Sequence, residues 1–344
     1  MKTLNTFQKY FVEEFYDDYR EGLLSRRTFI RRLFFITRSM AATITTMSAL
    51  GCAPAELPAP TETVPPPEPA ATAPPPAVAT TPPEAAATAE GAAGAQAGAV
   101  PDAKSPLSVP EGDPAVQSSE VTLESQGAEI MGYLARPVAD GTYPAILVCH
   151  ENRGLTPHIR DVARRFAKAG YVALALDLLS REGGTANLDR DQIPGLLTDA
   201  GPERHVGDFQ TAFAYLQGQD FVAGDRIGMT GFCFGGGITW RSATAIPELK
   251  AAVPFYGPAP ELDQVPNIKA AVFGVYAEQD ERINAGKDAL EQALQEAGVT
   301  YQMKVYPGVN HAFHNDTGER YDETQATQAW QDMLAWFEEH LRPV

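Results

Sequence analysis

Arg226-Ile227-Gly228-Met229-Thr230-Gly231-Phe232-Cys233-Phe234-Gly235-Gly236-Gly237 is the stretch that decides the fold of this chain. A run of strand-forming residues leads into Gly-x-Cys-x-Gly and then into a helix-capable segment. A strand that turns so sharply into a helix needs neighbours nearly free of side chain, and it holds its apical residue in a strained conformation. Such a turn lifts the apical side chain above the end of the sheet, and here that side chain is a thiol. The plainer alternative is a glycine-rich turn around a buried structural cysteine. A base and an orienting carboxylate further along the chain would separate the two readings.

The segments around that turn read as alternating strands and helices. Val121–Ser125 and Glu129–Arg136 flank Gln126-Gly127 as a hairpin. Ala145–Cys149 and Tyr171–Leu176 are short apolar runs of the kind buried on both faces of a sheet. Helical spacing marks Thr156–Ala169 and Glu203–Gln217. After the elbow come strands at Ala251–Tyr256, Ala270–Tyr276 and Tyr301–Tyr306, a helix over Ala285–Ala297, and a closing helix from Glu323 to His340. This order predicts a mainly parallel sheet with helices on both faces, in the α/β class, and together with the elbow it predicts the α/β-hydrolase fold.

Three regions are expected. In residues 1–52, Ser25-Arg26-Arg27-Thr28-Phe29-Ile30-Arg31 has the pattern of a twin-arginine export signal set apart from the domain, a basic amphipathic surface helix being the alternative. The run from Leu33 to Leu50 is too polar for a stable membrane span. Ala49-Leu50-Gly51-Cys52 resembles a lipobox, so Cys52 is the expected lipidation site; cleavage without lipid is the alternative. Residues 53–114, rich in Ala, Pro and Thr, read as a linker without a core, and 115–344 as one catalytic domain. The implied location is extracytoplasmic, with membrane contact only through the signal or a lipid anchor. The chain holds 27 Lys and Arg against 44 Asp and Glu, a formal charge of −17, which argues against nucleic acid as a partner. Of its three cysteines, Cys149 and Cys233 could in principle pair, although neither lies in a stapled loop.

A catalytic thiol needs a base, and the base needs an orienter. In this fold they follow the nucleophile in the order acid, then histidine, on loops after successive strands. Asp280 and His311 occupy those places, with Glu278 the competing orienter. The loop His150-Glu151-Asn152-Arg153-Gly154 follows a buried strand where one oxyanion-hole amide belongs; Asn152 and Phe234 are the expected backbone donors. Neither His311 with His314 nor the 150–154 loop has zinc-site spacing, so no metal is expected.

Together, His-Glu-Asn-Arg-Gly at 150–154, Asp177-Leu178-Leu179-Ser180-Arg181, Gly-Phe-Cys-Phe-Gly-Gly at 231–236, Asp280 and His311-Ala312-Phe313 resemble the dienelactone hydrolase family. The resemblance implies a Cys233–His311–Asp280 triad, a role for Glu151 in holding the resting thiol, and a substrate-binding Arg181, for which a salt-bridged surface residue is the equal alternative. A second substrate arginine is missing, because His314 and Asn315 stand where the family carries it. The implied activity is hydrolysis of small esters or lactones through a thioester, by a monomer without cofactor. Alternatives are a non-catalytic binding module and a thioesterase or peptidase using the same triad.

Overall fold

Gln126 and Gly127 both take positive φ, 52° and 76°, the geometry that lets two residues reverse an antiparallel ribbon. They join β1 (Val116–Ser125) to β2 (Ala128–Pro137), a longer hairpin than the sequence suggested. The computed structural model describes residues 4–52 and 100–341. The hairpin forms one edge of an eight-stranded sheet with β3 (Tyr143–Cys149), β4 (Val172–Leu176), β5 (Val222–Phe232), β6 (Ala251–Phe255), β7 (Ala271–Ala277) and β8 (Tyr301–Tyr306). The strand order is β1-β2-β4-β3-β5-β6-β7-β8, antiparallel through β4 and parallel from there on. This is the mainly parallel α/β-hydrolase sheet that the sequence pattern predicts.

Helices cover both faces. Helices α4 (Pro157–Lys168) and α10 (Glu323–Leu341) meet across one of them, where Phe166 packs 4.7 Å from Trp330 and 6.0 Å from Phe337. Gly228 of β5 lets Phe337 lie on the sheet; a Cβ there would come within 2.8 Å of the ring. Helices α6 (Pro202–Gln217) and α7 (Phe234–Ala245) cover the other face, preceded by α5 (Ile193–Ala200). The helix expected over 285–297 is α9 (Lys287–Glu296), capped by Gly286 and Ala297, and a short α8 (Glu281–Asn284) precedes it.

The N-terminal residues differ from the expectation of a leader set apart. They form α1 (Thr6–Arg20), α2 (Arg26–Thr37) and α3 (Met40–Ala49), each with a polar N-cap: Asn5 in a reciprocal box with Gln8, Ser25 and Ser39. Phe7 and Phe11 of α1 pack on Phe234 with ring centroids 5.5 and 5.8 Å apart. Basic residues of α2 and its C-cap pair with acids around α5: Arg31 with Asp189 at 2.5 Å, Arg32 with Asp191 at 3.1 Å, and Arg38 with Asp199. Gly195 lies under Phe35, whose carbonyl oxygen would be 2.8 Å from an added Cβ. No helix among the described residues is long and apolar enough to cross a membrane.

Most of the expected linker, 53–99, lies outside the described residues, but 100–114 belong to the domain. Val109 N–H donates to Asp161 Oδ1 at 2.6 Å, and Ser105 N–H to Asp316 Oδ2 at 3.2 Å. Arg165 joins Asp161 and Asp316 at 2.5 and 2.7 Å, a buried knot in which opposite charges satisfy one another. All three cysteines are free thiols, so Cys149 and Cys233 are not paired.

The glycines of the elbow carry the tightest packing in the sheet. A Cβ on Gly235 would sit 2.5 Å from the carbonyl oxygens of both Cys149 and His150, and one on Gly231 would lie 2.3 Å from Gly235 O. The Gly235→Ala substitution is therefore expected to cost several kcal/mol, roughly 3 or more, because the clash is with backbone and cannot be relieved by a rotamer change. Urea unfolding of the purified variant measures it, and a loss below 1 kcal/mol would contradict this packing.

Candidate active site

Cys233 sits at φ 58°, ψ −121°, between the end of β5 and the start of α7. Its N–H donates to Phe255 O of the neighbouring strand at 3.1 Å, so the strained residue is clamped from the side. Cys233 is only 3% exposed.

The orienting acid is Asp280, and not Glu278. Asp280 Oδ2 lies 2.6 Å from His311 Nδ1, while its other oxygen caps α8 by accepting from Ile283 N–H at 3.3 Å. Glu278 points away and accepts from Gly308 N–H at 2.7 Å. Burial raises the Asp280 pKa, but the His311 imidazole beside it outweighs that and leaves the carboxyl below its usual range. With Nδ1 tied to Asp280, His311 Nε2 is buried and has no partner among the described residues, which leaves it free to take a proton from a reacting group. Tyr256 closes over the imidazole, with ring centroids 5.0 Å apart.

Cys233 meets neighbours the sequence reading did not supply. Its thiol lies 3.4 and 3.5 Å from the two oxygens of Glu14, and 3.3 Å from the Tyr10 hydroxyl, both from α1. Glu151, expected to hold the resting thiol, instead accepts from Asn315 Nδ2 at 2.5 Å. Asn152 lines the same cavity as Cys233, and its side-chain amide donates to Glu14 Oε1. Arg282 lies 4.6 Å over the Tyr10 ring, and Arg320 pairs with Asp18 at 2.8 Å and Glu21 at 2.7 Å. These residues were missed because α1 was set aside. The signal was present in the three-to-four-residue spacing of Phe7, Phe11, Glu14 and Asp18, all buried on one face of α1.

Glu14, Cys233 and His311 each place one potential ligand atom within 4.8 Å of the others, the one such group among the described residues. The same atoms serve equally as stations for a proton. A cavity of about 350 Å³ opens beside Cys233, lined among others by Glu14, Leu24, Glu151, Arg153, Arg190 and Asn315.

The match to known proteins follows this frame. The dienelactone hydrolase family model matches residues 130–341.

The chain belongs to the dienelactone hydrolase family.

It is accordingly a hydrolase acting on carboxylic esters. A protein of Escherichia coli strain K12 named as a carboxymethylenebutenolidase is 37% identical over 269 residues, covering 71% of this chain and 96% of that protein. A protein of the same name from Methylorubrum extorquens is 36% identical over 236 residues, covering 65% and 81%. A crystal structure named for a dienelactone hydrolase of Klebsiella pneumoniae superposes with a TM-score of 0.61 at 34% identity, covering 65% of this chain and 99% of that one. Helices α1 to α3 lie outside the family match.

Arg181, which the family resemblance placed on substrate, is engaged elsewhere. Its guanidinium grips buried Asp208 at 2.7 and 2.9 Å and donates to Ser125 O at 2.9 Å, tying the β1 turn to α6. His314 is no substitute, since it is buried against Phe232 with centroids 5.0 Å apart, and burial holds it neutral. The Arg181→Ala variant should lose about 3 kcal/mol of stability by stranding Asp208, while KM for any ester stays unchanged. A raised KM with unchanged stability would return Arg181 to the substrate.

Behind the nucleophile, His205 stands edge-on to Phe234 at 5.4 Å, its Nε2 2.9 Å from Leu197 O. Burial pushes its pKa down to about 4. Between pH 6.5 and 4 the unfolded chain therefore binds a proton that the folded chain refuses. Stability should fall across that window on acidification, by roughly 3 kcal/mol from this group. Melting temperatures at pH 7, 5.5 and 4.5 should show the slope, and His205→Gln should flatten it.

Proposed function

We propose that the chain is a cysteine hydrolase that cleaves small carboxylic esters or lactones through a thioester on Cys233. The observation that carries this reading is the His311–Asp280 pair at 2.6 Å, whose imidazole lies in one cluster with a thiol on a strained elbow.

The chemistry runs in two balanced steps. In the first, His311 Nε2 takes the Cys233 proton, and the thiolate attacks the carbonyl carbon. Charge collects on the carbonyl oxygen, where the backbone amides of Phe234 and Asn152 receive it. The C–O bond to the leaving group then breaks, and the imidazolium returns the proton to the departing alkoxide. In the second step, His311 takes a proton from water as it attacks the thioester, and returns it to sulfur as the carboxylic product leaves. Asp280 fixes the ring throughout.

The cavity beside Cys233 supports a small substrate, and its lining by Glu151, Arg153, Arg190 and Asn315 supports one with polar substituents. With Arg181 committed to Asp208, recognition of a substrate carboxylate would rest on other cations. The names of the Escherichia coli and Methylorubrum relatives point to a lactone of the dienelactone type.

Two assays test this. Cys233→Ala should lower turnover of a short-chain aryl ester and a dienelactone by roughly a thousandfold or more. Asp280→Asn should lower it by about a hundredfold or more, with KM little changed, because the ring loses its orienter. A thioester on the Cys233 peptide, trapped by acid quench during turnover, should appear by mass spectrometry. Turnover that survives in Cys233→Ala would overturn the thiol mechanism.

A further inference from the structure

The segment that contacts the nucleophile most closely lies outside the region that defines the family. Helix α1 brings Glu14 to 3.4 and 3.5 Å from Cys233 Sγ with both carboxylate oxygens, and Tyr10 to 3.3 Å. Its seat is built on both sides. Phe7 and Phe11 pack on Phe234, the residue that follows the nucleophile. Arg282 lies over Tyr10, and Arg320 bridges Asp18 and Glu21. The Asn152 amide, from the loop expected to form the oxyanion hole, is spent on Glu14.

We propose that Glu14 is an active-site residue that holds the Cys233 proton between turnovers, keeping the nucleophile a neutral thiol, and that α1 is a working wall of the site. The proposal rests on Cys233 being the nucleophile of the reaction set out above.

Hydrogen-bond roles follow from the partners. An ionised carboxylate can only accept, so the thiol donates to Glu14, and the Tyr10 hydroxyl donates to sulfur. His311 Nε2 has no partner among the described residues in this state, and one ring nitrogen of His311 lies within 4.8 Å of Glu14 and Cys233. To react, Sγ must turn its proton from Glu14 to Nε2, giving thiolate and imidazolium. Glu14 gains and loses no proton over the cycle.

The groups facing Cys233 come from every surrounding element. Helix α1 supplies Glu14 and Tyr10, the loop after β3 Glu151, and the segment after β6 Tyr256. Asp280 and Arg282 follow β7, and His311 follows β8. Burial pushes the thiol pKa up most, and the Glu14 and Glu151 carboxylates push it further. The Tyr10 hydroxyl and the Phe234 N–H pull it down. The two α1 residues therefore act on the thiol with opposite sign, which a loosened helix could not imitate.

The test uses the full chain, with intact mass confirming that residues 1–52 are present. Iodoacetamide alkylation is followed at the Cys233 peptide from pH 6 to 10, for wild type, Glu14→Gln and Tyr10→Phe. Glu14→Gln should shift the profile to lower pH and speed alkylation roughly tenfold at pH 7.5, the equivalent of one unit in pKa. Tyr10→Phe should shift it to higher pH and slow alkylation. Both variants speeding alkylation would mean that α1 only shields the thiol, and no shift in Glu14→Gln would mean that α1 leaves Cys233 in solution. Either result overturns the proposal. Turnover by Cys233→Ala separates its failure from that of the hydrolase reading: with the thiol mechanism wrong, the opposite shifts would still report Glu14 on the sulfur.

Discussion

One strained residue organises this molecule. Cys233 holds positive φ only because three pieces of backbone leave it no other course: β6 receives its N–H, the carbonyls at the end of β3 press on Gly235, and Gly231 packs against the first turn of α7. The central strands must keep their register for those carbonyls to be in place. Loops after β3, β7 and β8 then deliver Glu151 with Asn152, Asp280 and His311 to the same end of the sheet. The site is the consequence of parallel strands ending together, with the strain of the elbow held by the surrounding core.

The polar groups around the nucleophile divide into two sets. Asp280, with His311, does two jobs with one carboxylate, capping α8 and orienting the imidazole, so ring position is tied to a helix start. The second set lies along α1, where Glu14, Asp17, Asp18 and Glu21 meet Arg282, Arg320 and the Asn152 amide. An acidic helix face on a basic rim is a seam whose partners are both intrachain, and its aromatic half, Phe7 and Phe11 on Phe234, is dry.

What the sequence disclosed follows the same division. Cys233, Asp280 and His311 could be read because each follows a strand, and the strand pattern was strong; β8 was read to the residue. Asp280 was separable from Glu278 by its place at the entrance to a helix, which the cap on α8 explains. Arg181 misled because the motif around it is local, whereas its partner Asp208 lies 27 residues further on and shows nothing of its burial in sequence. Glu14 was hidden by a competing pattern. Arg31, which closes the pattern that reads as an export signal, and Arg32 and Arg38 beyond it pair with Asp189, Asp191 and Asp199, and no local rule displays a partner some 160 residues away.

The placement of α1 also sets an order of events during synthesis. Its apolar stripe is made well before the Cys233 elbow that it covers, which lies 223 residues beyond Tyr10. At ordinary translation speeds that gap lasts on the order of ten seconds or more. Throughout it an amphipathic helix stands without the surface that buries it, and closing so long a loop comes late in folding. Helix α1 is thus made long before it can dock, and it meets the Cys233 thiol only after the elbow has been made.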